Sequence, residues 1–311
     1  MAGALVFAFA GGEDEVPPQS SFCWGTLSAD DVATLSPKPF KRYGSKEHGP
    51  KRSRSCWVYG DDRKYYEFSL EIRDVDEGMG VWQTADEVAA ESSWRAPISG
   101  APGWVNTTYA GVLLPVPCAR GLGIPGSSYL QIHVMDDQEE AWRDGEVQKR
   151  MTDVLMKSAA NLTRQLGCAE TPYTSPAETP RLLTPRPVDP AKACGLPGFA
   201  PLTSPGTSFQ EYVTSGDLRL WSCAIAPAGD EFIVRHLTVT QDPTVIATSR
   251  RDGGSRADEA LLTCEGIPTL LQLGRPFRST TESESVTGAL RTNAEIFAGF
   301  REAVSSQAHC A

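Results

Sequence analysis

Arg54-Ser55-Cys56-Trp57-Val58 can be laid over Trp221-Ser222-Cys223-Ala224-Ile225, and this overlay decides the expected fold. Each stretch runs on through a polar turn, Gly60-Asp61-Asp62 or Gly229-Asp230-Glu231. Each then enters a run in which apolar residues alternate, Tyr66 to Ile72 or Phe232 to Val239. Strict alternation is the mark of a half-buried strand, so Cys56 and Cys223 are expected on the first arm of a β-hairpin. Working outward, the eight cysteines fall into two sets of four: Cys23, Cys56, Cys118 and Cys168, then Cys194, Cys223, Cys264 and Cys310. The intervening residues number 32, 61 and 49 in the first set and 28, 40 and 45 in the second. A repeated four-cysteine frame predicts a duplicated domain in an oxidising compartment.

The third cysteine follows a short apolar run in each set, Val112-Leu113-Leu114 or Ala260-Leu261-Leu262. A further strand is expected after it, at Tyr129 to Val134 or Thr269 to Leu273. The fourth cysteine closes a helix. Val147, Met151, Val154, Leu155, Leu162 and Leu166 recur at helical spacing, and Gly167 supplies a stop before Cys168. Leu290, Ala294, Phe297, Phe300 and Val304 do the same before Cys310. Each apolar stripe needs a surface, and the sheet is the large one available. The expected class is α+β: two tandem copies of an antiparallel sheet with a C-terminal helix packed on one face, each with two disulfides. Four cysteines allow three pairings per copy. First-with-second and third-with-fourth is favoured, because the latter bridge would tie the helix end to the sheet.

The expected organisation is an apolar N-terminus and spacer at 1–20, a first domain at 21–168, a linker at 169–193 and a second domain at 194–311. The linker holds six prolines and four threonines, a composition that favours an extended, semi-rigid spacer. The apolar run Ala2 to Ala10 cannot span a bilayer by itself, and it lacks the basic residues that open a signal peptide. It fits a truncated signal sequence or, better, the outer end of a membrane anchor, because an acidic, proline-bearing stretch follows it. The chain is expected to be extracytoplasmic, at the cell surface or secreted.

The net charge of −10 makes nucleic acid a poor partner. One segment runs against that balance: Lys38, Lys41, Arg42, Lys46, Lys51, Arg52 and Arg54, broken only by Glu47 among charged residues. It reads as a solvated loop between the first two cysteines, and its functional reading is a patch for anionic envelope polymers or lipid headgroups. The candidate binding residues there are Lys41, Arg42, Lys51, Arg52 and Arg54. A second candidate surface is an insertion. The first set has 61 residues between its second and third cysteines against 40 in the second, and the extra stretch carries Trp82, Trp94 and Trp104. Tryptophans exposed on an inserted loop would suit a partner or a glycan; alternatively they cover a sheet edge.

No catalytic constellation stands out. His48, His133, His236 and His309 form no metal-ligand pair, and no cysteine pair has CxxC spacing. Gly121-Leu122-Gly123-Ile124-Pro125-Gly126 leads into a strand rather than a helix and reads as a turn. Asp74-Val75-Asp76-Glu77-Gly78 lacks the distal ligands of a calcium loop. Asn106-Thr107-Thr108 and Asn161-Leu162-Thr163 are read as chance glycosylation matches. No cofactor or metal is expected.

Cys23-Trp24-Gly25-Thr26-Leu27-Ser28-Ala29-Asp30-Asp31-Val32, followed by Ser55-Cys56-Trp57, resembles the small secreted domains of actinobacterial envelope proteins and lipoproteins. Those domains begin with a cysteine and a short L-x-x-x-D-V helix, then carry a second cysteine beside a tryptophan. The resemblance covers about forty residues of the first copy; Cys194-Gly195-Leu196-Pro197-Gly198-Phe199 departs from it. It implies location more than chemistry. The expected function is a membrane-tethered, noncatalytic binding or structural module of the bacterial envelope, its partner an envelope protein or an anionic envelope polymer. The competing expectation is an envelope hydrolase using carboxylates such as Asp61, Asp62, Asp136 and Asp137.

Overall fold

The computed structural model describes residues 19–36, 42–48, 53–60, 66–74, 96–106, 108–124, 128–134, 145–168, 173–180, 183–203, 209–214, 220–229, 235–249, 258–274 and 288–310. The first part of the chain forms β1 (Ser21–Phe22), β2 (Leu27–Ser28), α1 (Ala29–Leu35), β3 (Tyr43–His48), β4 (Ser53–Gly60), β5 (Tyr66–Asp74), β6 (Ala96–Pro97), β7 (Gly103–Val105), β8 (Tyr109–Leu113), α2 (Val116–Leu122), β9 (Ser128–Val134) and α3 (Gly145–Leu166). β1 pairs with β2, and the other strands make one antiparallel sheet in the order β3-β4-β5-β9-β8-β7-β6. Alternation in β5 and β9 puts Phe68, Leu70, Ile72, Leu130, Ile132 and Val134 on one face, joined by Ala110 and Val112 of β8. All are buried with Val147, Met151, Val154, Leu155 and Leu162 of α3 in one core. Each of these side chains larger than alanine contributes about 1.5–3 kcal/mol by leaving water.

α1 forms where the sequence supplies a complete capping box. Asp31 N donates to Ser28 Oγ, and Ser28 N donates to Asp31 Oδ2 at 2.8 Å. Lys157 of α3 then reaches Asp31 at 2.6 Å, and Ser158 and Asn161 donate to Thr26. Burial alone would raise the Asp31 carboxyl, but the hydrogen bonds from Lys157 and Ser28 outweigh it and hold the group below the usual carboxylate range. α3 ends at Gly167, whose φ of +59° lets Cys168 N reach back to Thr163 O.

The second part forms β10 (Arg186–Pro187), β11 (Phe209–Val213), β12 (Leu220–Pro227), β13 (Arg235–Thr240), α4 (Pro243–Ser249), β14 (Glu259–Cys264), β15 (Ile267–Gly274) and α5 (Asn293–Gln307). Its antiparallel sheet has the order β10-β11-β12-β13-β15-β14. Trp221, Cys223, Ile225, Leu237, Val239, Leu271 and Leu273 share a core with Ile296, Phe297, Phe300 and Val304 of α5. Phe300 is its centre, with its ring 6.0 Å from those of both Trp221 and Phe199. The molecule is therefore α+β with antiparallel sheets and a C-terminal helix.

Four disulfides pair Cys23 with Cys56, Cys118 with Cys168, Cys194 with Cys223 and Cys264 with Cys310; no cysteine is free. Each bridge closes within its own set of four. Eight bonded cysteines indicate an oxidising, extracytoplasmic environment. Among the described residues, no helix is long and apolar enough to cross a membrane.

Two stretches differ from the expectation. The proline- and threonine-rich stretch was expected to be a spacer, yet its second half belongs to the second sheet. Arg186–Pro187 pairs with β11, Val188 and Ala193 enter the core, and Leu183 packs on Tyr212, Ala224 and Ala226. An extended proline-rich chain has the dihedral angles of an edge strand, and here β11 offers it a partner. The basic segment, expected as a loop, instead supplies β3 and the start of β4, paired from Tyr43↔Gly60 to His48↔Ser55.

Candidate functional site

Of the residues expected to bind anionic polymers, Arg42 and Arg54 are described, and Lys41, Lys51 and Arg52 lie outside the described residues. Arg42 is exposed just before β3, and Arg54 is half-buried on β4. Lys46 is exposed on β3 directly opposite Trp57, on the face away from α3. Arg54 follows the parity of Cys56 and Val58, so it sits on the α3 side. The neighbouring Glu47 is committed elsewhere: its Oε1 accepts from Trp24 N at 2.7 Å. Ser45 N donates to Gln19 Oε1 at 3.0 Å. The chain before and after Cys23 thus runs along the outer edge of β3.

Trp82 and Trp94 lie outside the described residues. Trp104 is described, and it is not at the surface. It sits on β7 with 1% of its area exposed, in a cluster with Leu113, Tyr129 and Val245. Its indole lies over Gly111, where a Cβ would come within 2.4 Å of Trp104 Cζ2. Val245 belongs to α4, which follows β13, so this cluster joins the two halves of the molecule. Tyr173 adds to the junction by donating its hydroxyl to Leu113 O at 2.5 Å. Burial, with the charge of Asp242 nearby, raises the Tyr173 hydroxyl far above its ordinary value.

The face of the first sheet away from α3 carries a polar cluster that sequence reasoning did not single out. Ser69 is opposite His133, and Glu71 is opposite Gln131. Ser69, Glu71 and Gln131 are buried, and His133 stacks on Tyr109 with 3.9 Å between ring centroids. The signal was the polar alternation Glu67-Ser69-Glu71 on β5 and Gln131-His133 on β9, which ordinarily marks a solvated face. Serine, histidine and glutamate are hydrolase residue types, but no relay connects them. Ser69 Oγ is fully covered and accepts no hydrogen bond from His133 nor donates one to it. Glu71 instead receives Arg73 Nε at 2.7 Å. Asp61, Asp62, Asp136 and Asp137 lie outside the described residues.

Burial, with Arg73 adding a like charge, pushes the His133 imidazole down from 6.5 to about 4. The folded protein therefore takes up this proton less readily than the unfolded chain. The resulting stability is complete above pH 6.5 and is lost as pH falls from 6.5 towards about 4. Melting temperatures across that window will drop less steeply in His133→Gln than in the native chain. Parallel curves would refute the assignment.

Cys194, Glu211 and Cys223 bring their sulfur and carboxylate atoms within 4.8 Å of one another, which is metal-ligand spacing. Both sulfurs are spent on a disulfide, and Glu211 is spent on the backbone. Its Oε2 accepts from Cys194 N at 2.6 Å and its Oε1 from Arg186 Nε at 2.7 Å. The group is a structural clamp on a turn in which Cys194 has a φ of +60°. Comparison of the chain with protein-family models, curated proteins and solved structures finds no match to any of them.

Proposed function

We propose that the chain is a noncatalytic binding module of the bacterial cell envelope, built from two tandem copies of one disulfide-bridged unit. Support for the duplication comes from strand order. β3-β4-β5-β9-β8 in the first sheet runs parallel, strand for strand, to β11-β12-β13-β15-β14 in the second. The second cysteine lies on β4 or β12, and a helix ends before the fourth in both. The first cysteine has a positive φ in both, +48° at Cys23 and +60° at Cys194. In both, a glutamate on the strand beside the second cysteine accepts a backbone N–H from that turn: Glu47 from Trp24, Glu211 from Cys194. A carboxylate on the strand next to the second cysteine's, clamping a left-handed cysteine turn, is a specific device to meet twice. α2 and the segment between β5 and β7 are then additions to the first copy.

The observation that carries the binding reading is the basic β3–β4 hairpin, with Lys46 exposed beside Trp57 on a chain of net charge −10. Its partner is an anionic envelope polymer or the acidic surface of an envelope protein. Exposed charges are screened beyond about 8 Å at physiological ionic strength, so such binding is local and salt-sensitive. The protein will adsorb to vesicles containing anionic lipid at low salt and release as salt rises. A variant with Lys41, Arg42, Lys51 and Arg52 changed to serine will lose adsorption while keeping its melting temperature, because surface charges contribute little to folding. Adsorption that survives the four substitutions would remove the hairpin from any binding role.

A further inference from the structure

One disulfide of the four has a buried carboxylate against it. Cys223 lies on β12 and Glu211 on β11, both on the face turned to α5, and the register Glu211↔Ile225 and Val213↔Cys223 makes them diagonal neighbours. Cys194 comes to them from the turn Ala193–Gly195. Glu211 is 1% exposed, Cys194 2% and Cys223 0%. Among the described residues, no carboxylate or histidine joins the sulfurs of another bridge within 4.8 Å. Glu47 of the first sheet accepts from Trp24 N, one residue past the cysteine, whereas Glu211 accepts from the N–H of Cys194 itself.

The three groups make a metal site once the sulfurs are no longer bonded to each other. Zinc held tetrahedrally by two thiolates and a carboxylate, at about 2.3 Å to sulfur and about 2.1 Å to oxygen, sets its ligand atoms about 3.6–3.8 Å apart. Atoms that already lie within 4.8 Å of one another need only small side-chain rotations to reach that geometry. The turn does not depend on the bridge for its shape: Leu196 N donates to Ala193 O at 3.0 Å, and Ala193 N to Phe199 O at 3.1 Å. Glu211 also has lone pairs free. A carboxylate offers about four lone-pair sites, and Cys194 N and Arg186 Nε take one each. The charge balances too. Two thiolates and Glu211 carry three negative charges, which a divalent cation and Arg186 cancel, so the buried group stays neutral. The Arg186 side chain is 56% exposed, which puts the carboxylate one guanidinium away from solvent.

We propose that Cys194, Cys223 and Glu211 are a redox-gated metal site, in which the reduced cysteine pair and the carboxylate bind one soft divalent cation of the zinc class. A dithiol opens the bridge by attack on one sulfur, and its second thiol then displaces the protein from the mixed disulfide and closes a disulfide of its own. The dithiol gives up two electrons and two protons to the sulfurs of Cys194 and Cys223, and binding of the cation releases those protons. Thiolate ligands favour zinc over calcium or magnesium. The cation then does what the disulfide did, holding the Cys194 turn against β12, so the clamp stays shut in either state. The site lies on the second sheet, and the inference is independent of the basic hairpin.

Reduction of the whole protein with a tertiary phosphine, with cadmium as the spectroscopic probe for zinc, tests it. The phosphine passes two electrons to the disulfide, while water supplies the oxygen of the phosphine oxide and the protons of the two thiols. One cadmium ion per chain will bind with an ultraviolet sulfur-to-metal charge-transfer band, and Cys194 and Cys223 will be shielded from alkylation. The untreated protein will give no band. Glu211→Gln, which can still accept from Cys194 N, will bind cadmium at least about tenfold more weakly, the least that loss of one outer-shell partner costs. Cys194→Ser combined with Cys223→Ser will give no band at one equivalent of cadmium, although the same reagent opens its other three bridges. Zinc will raise the melting temperature of the reduced native chain and not that of the double variant. A reduced chain that takes up no cadmium, a band that survives in the double variant, or a Glu211→Gln variant that binds as tightly as the native chain would each overturn the proposal.

Discussion

Trp104→Ala will lower the stability of the protein by about 3–5 kcal/mol, the range for deleting a large aromatic side chain from a close-packed core. The residue is 1% exposed and touches groups from both halves: Leu113 and Tyr129 from the first sheet, Val245 from α4. Nothing small can refill the space, because the indole already occupies the notch left by Gly111. Loss of Trp104 therefore opens a cavity where α4 meets the first sheet, and unfolding will separate into two transitions. Urea denaturation followed by calorimetry reads both effects. A loss below about 1 kcal/mol would mean that the cluster collapses around the gap and that the junction is held elsewhere. The mirror experiment, Gly111→Val, introduces a side chain that Trp104 must vacate, and it will destabilise the same junction.

Cys118→Ala combined with Cys168→Ala will cost about 4 kcal/mol, from the chain-entropy cost of a loop with sequence separation 50. Removing Cys194 and Cys223, separated by 29, will cost only slightly less, since the loop term grows with the logarithm of length. Urea midpoints of the two double variants, compared at matched slopes, measure the difference. An unchanged midpoint in either would show that the unfolded chain is already held compact there without the bridge.

The residues that face helices were legible in the sequence. Alternation at Phe68-Leu70-Ile72 and Leu130-Ile132-Val134, and helical spacing at Met151-Leu155-Leu162 and Phe297-Phe300-Val304, depend on one period each and on water alone as the alternative. β5, β9, α3 and α5 follow from them. The other face of each sheet was not legible. Ser69, Gln131, Ser222 and Thr238 are buried, yet as residue types they announce solvent. Their burial depends on what lies over the sheet, and no local period encodes that. The same limit applies to Trp104. A tryptophan in the long stretch between β5 and β8 is equally consistent with a binding loop and with a buried contact, and Val245, more than a hundred residues later, decides between them. β10 was hidden for another reason. A two-residue strand with a proline has no alternation to detect, and only the capture of Arg186 by the buried Glu211 marks it.

The four bridges neither cross nor nest, with spans of 33, 50, 29 and 46 residues along the chain. Under tension applied at the two ends, each bridge short-circuits its own segment, and the load passes from sulfur to sulfur. About half of the 311 residues thus lie off the line of force and cannot be drawn out, however far the remainder extends. α3 and α5 both fall inside such segments. Even with its sheets pulled apart, a stretched molecule would keep α3 leashed to α2 and α5 leashed to the end of β14, ready to redock when the pull is released.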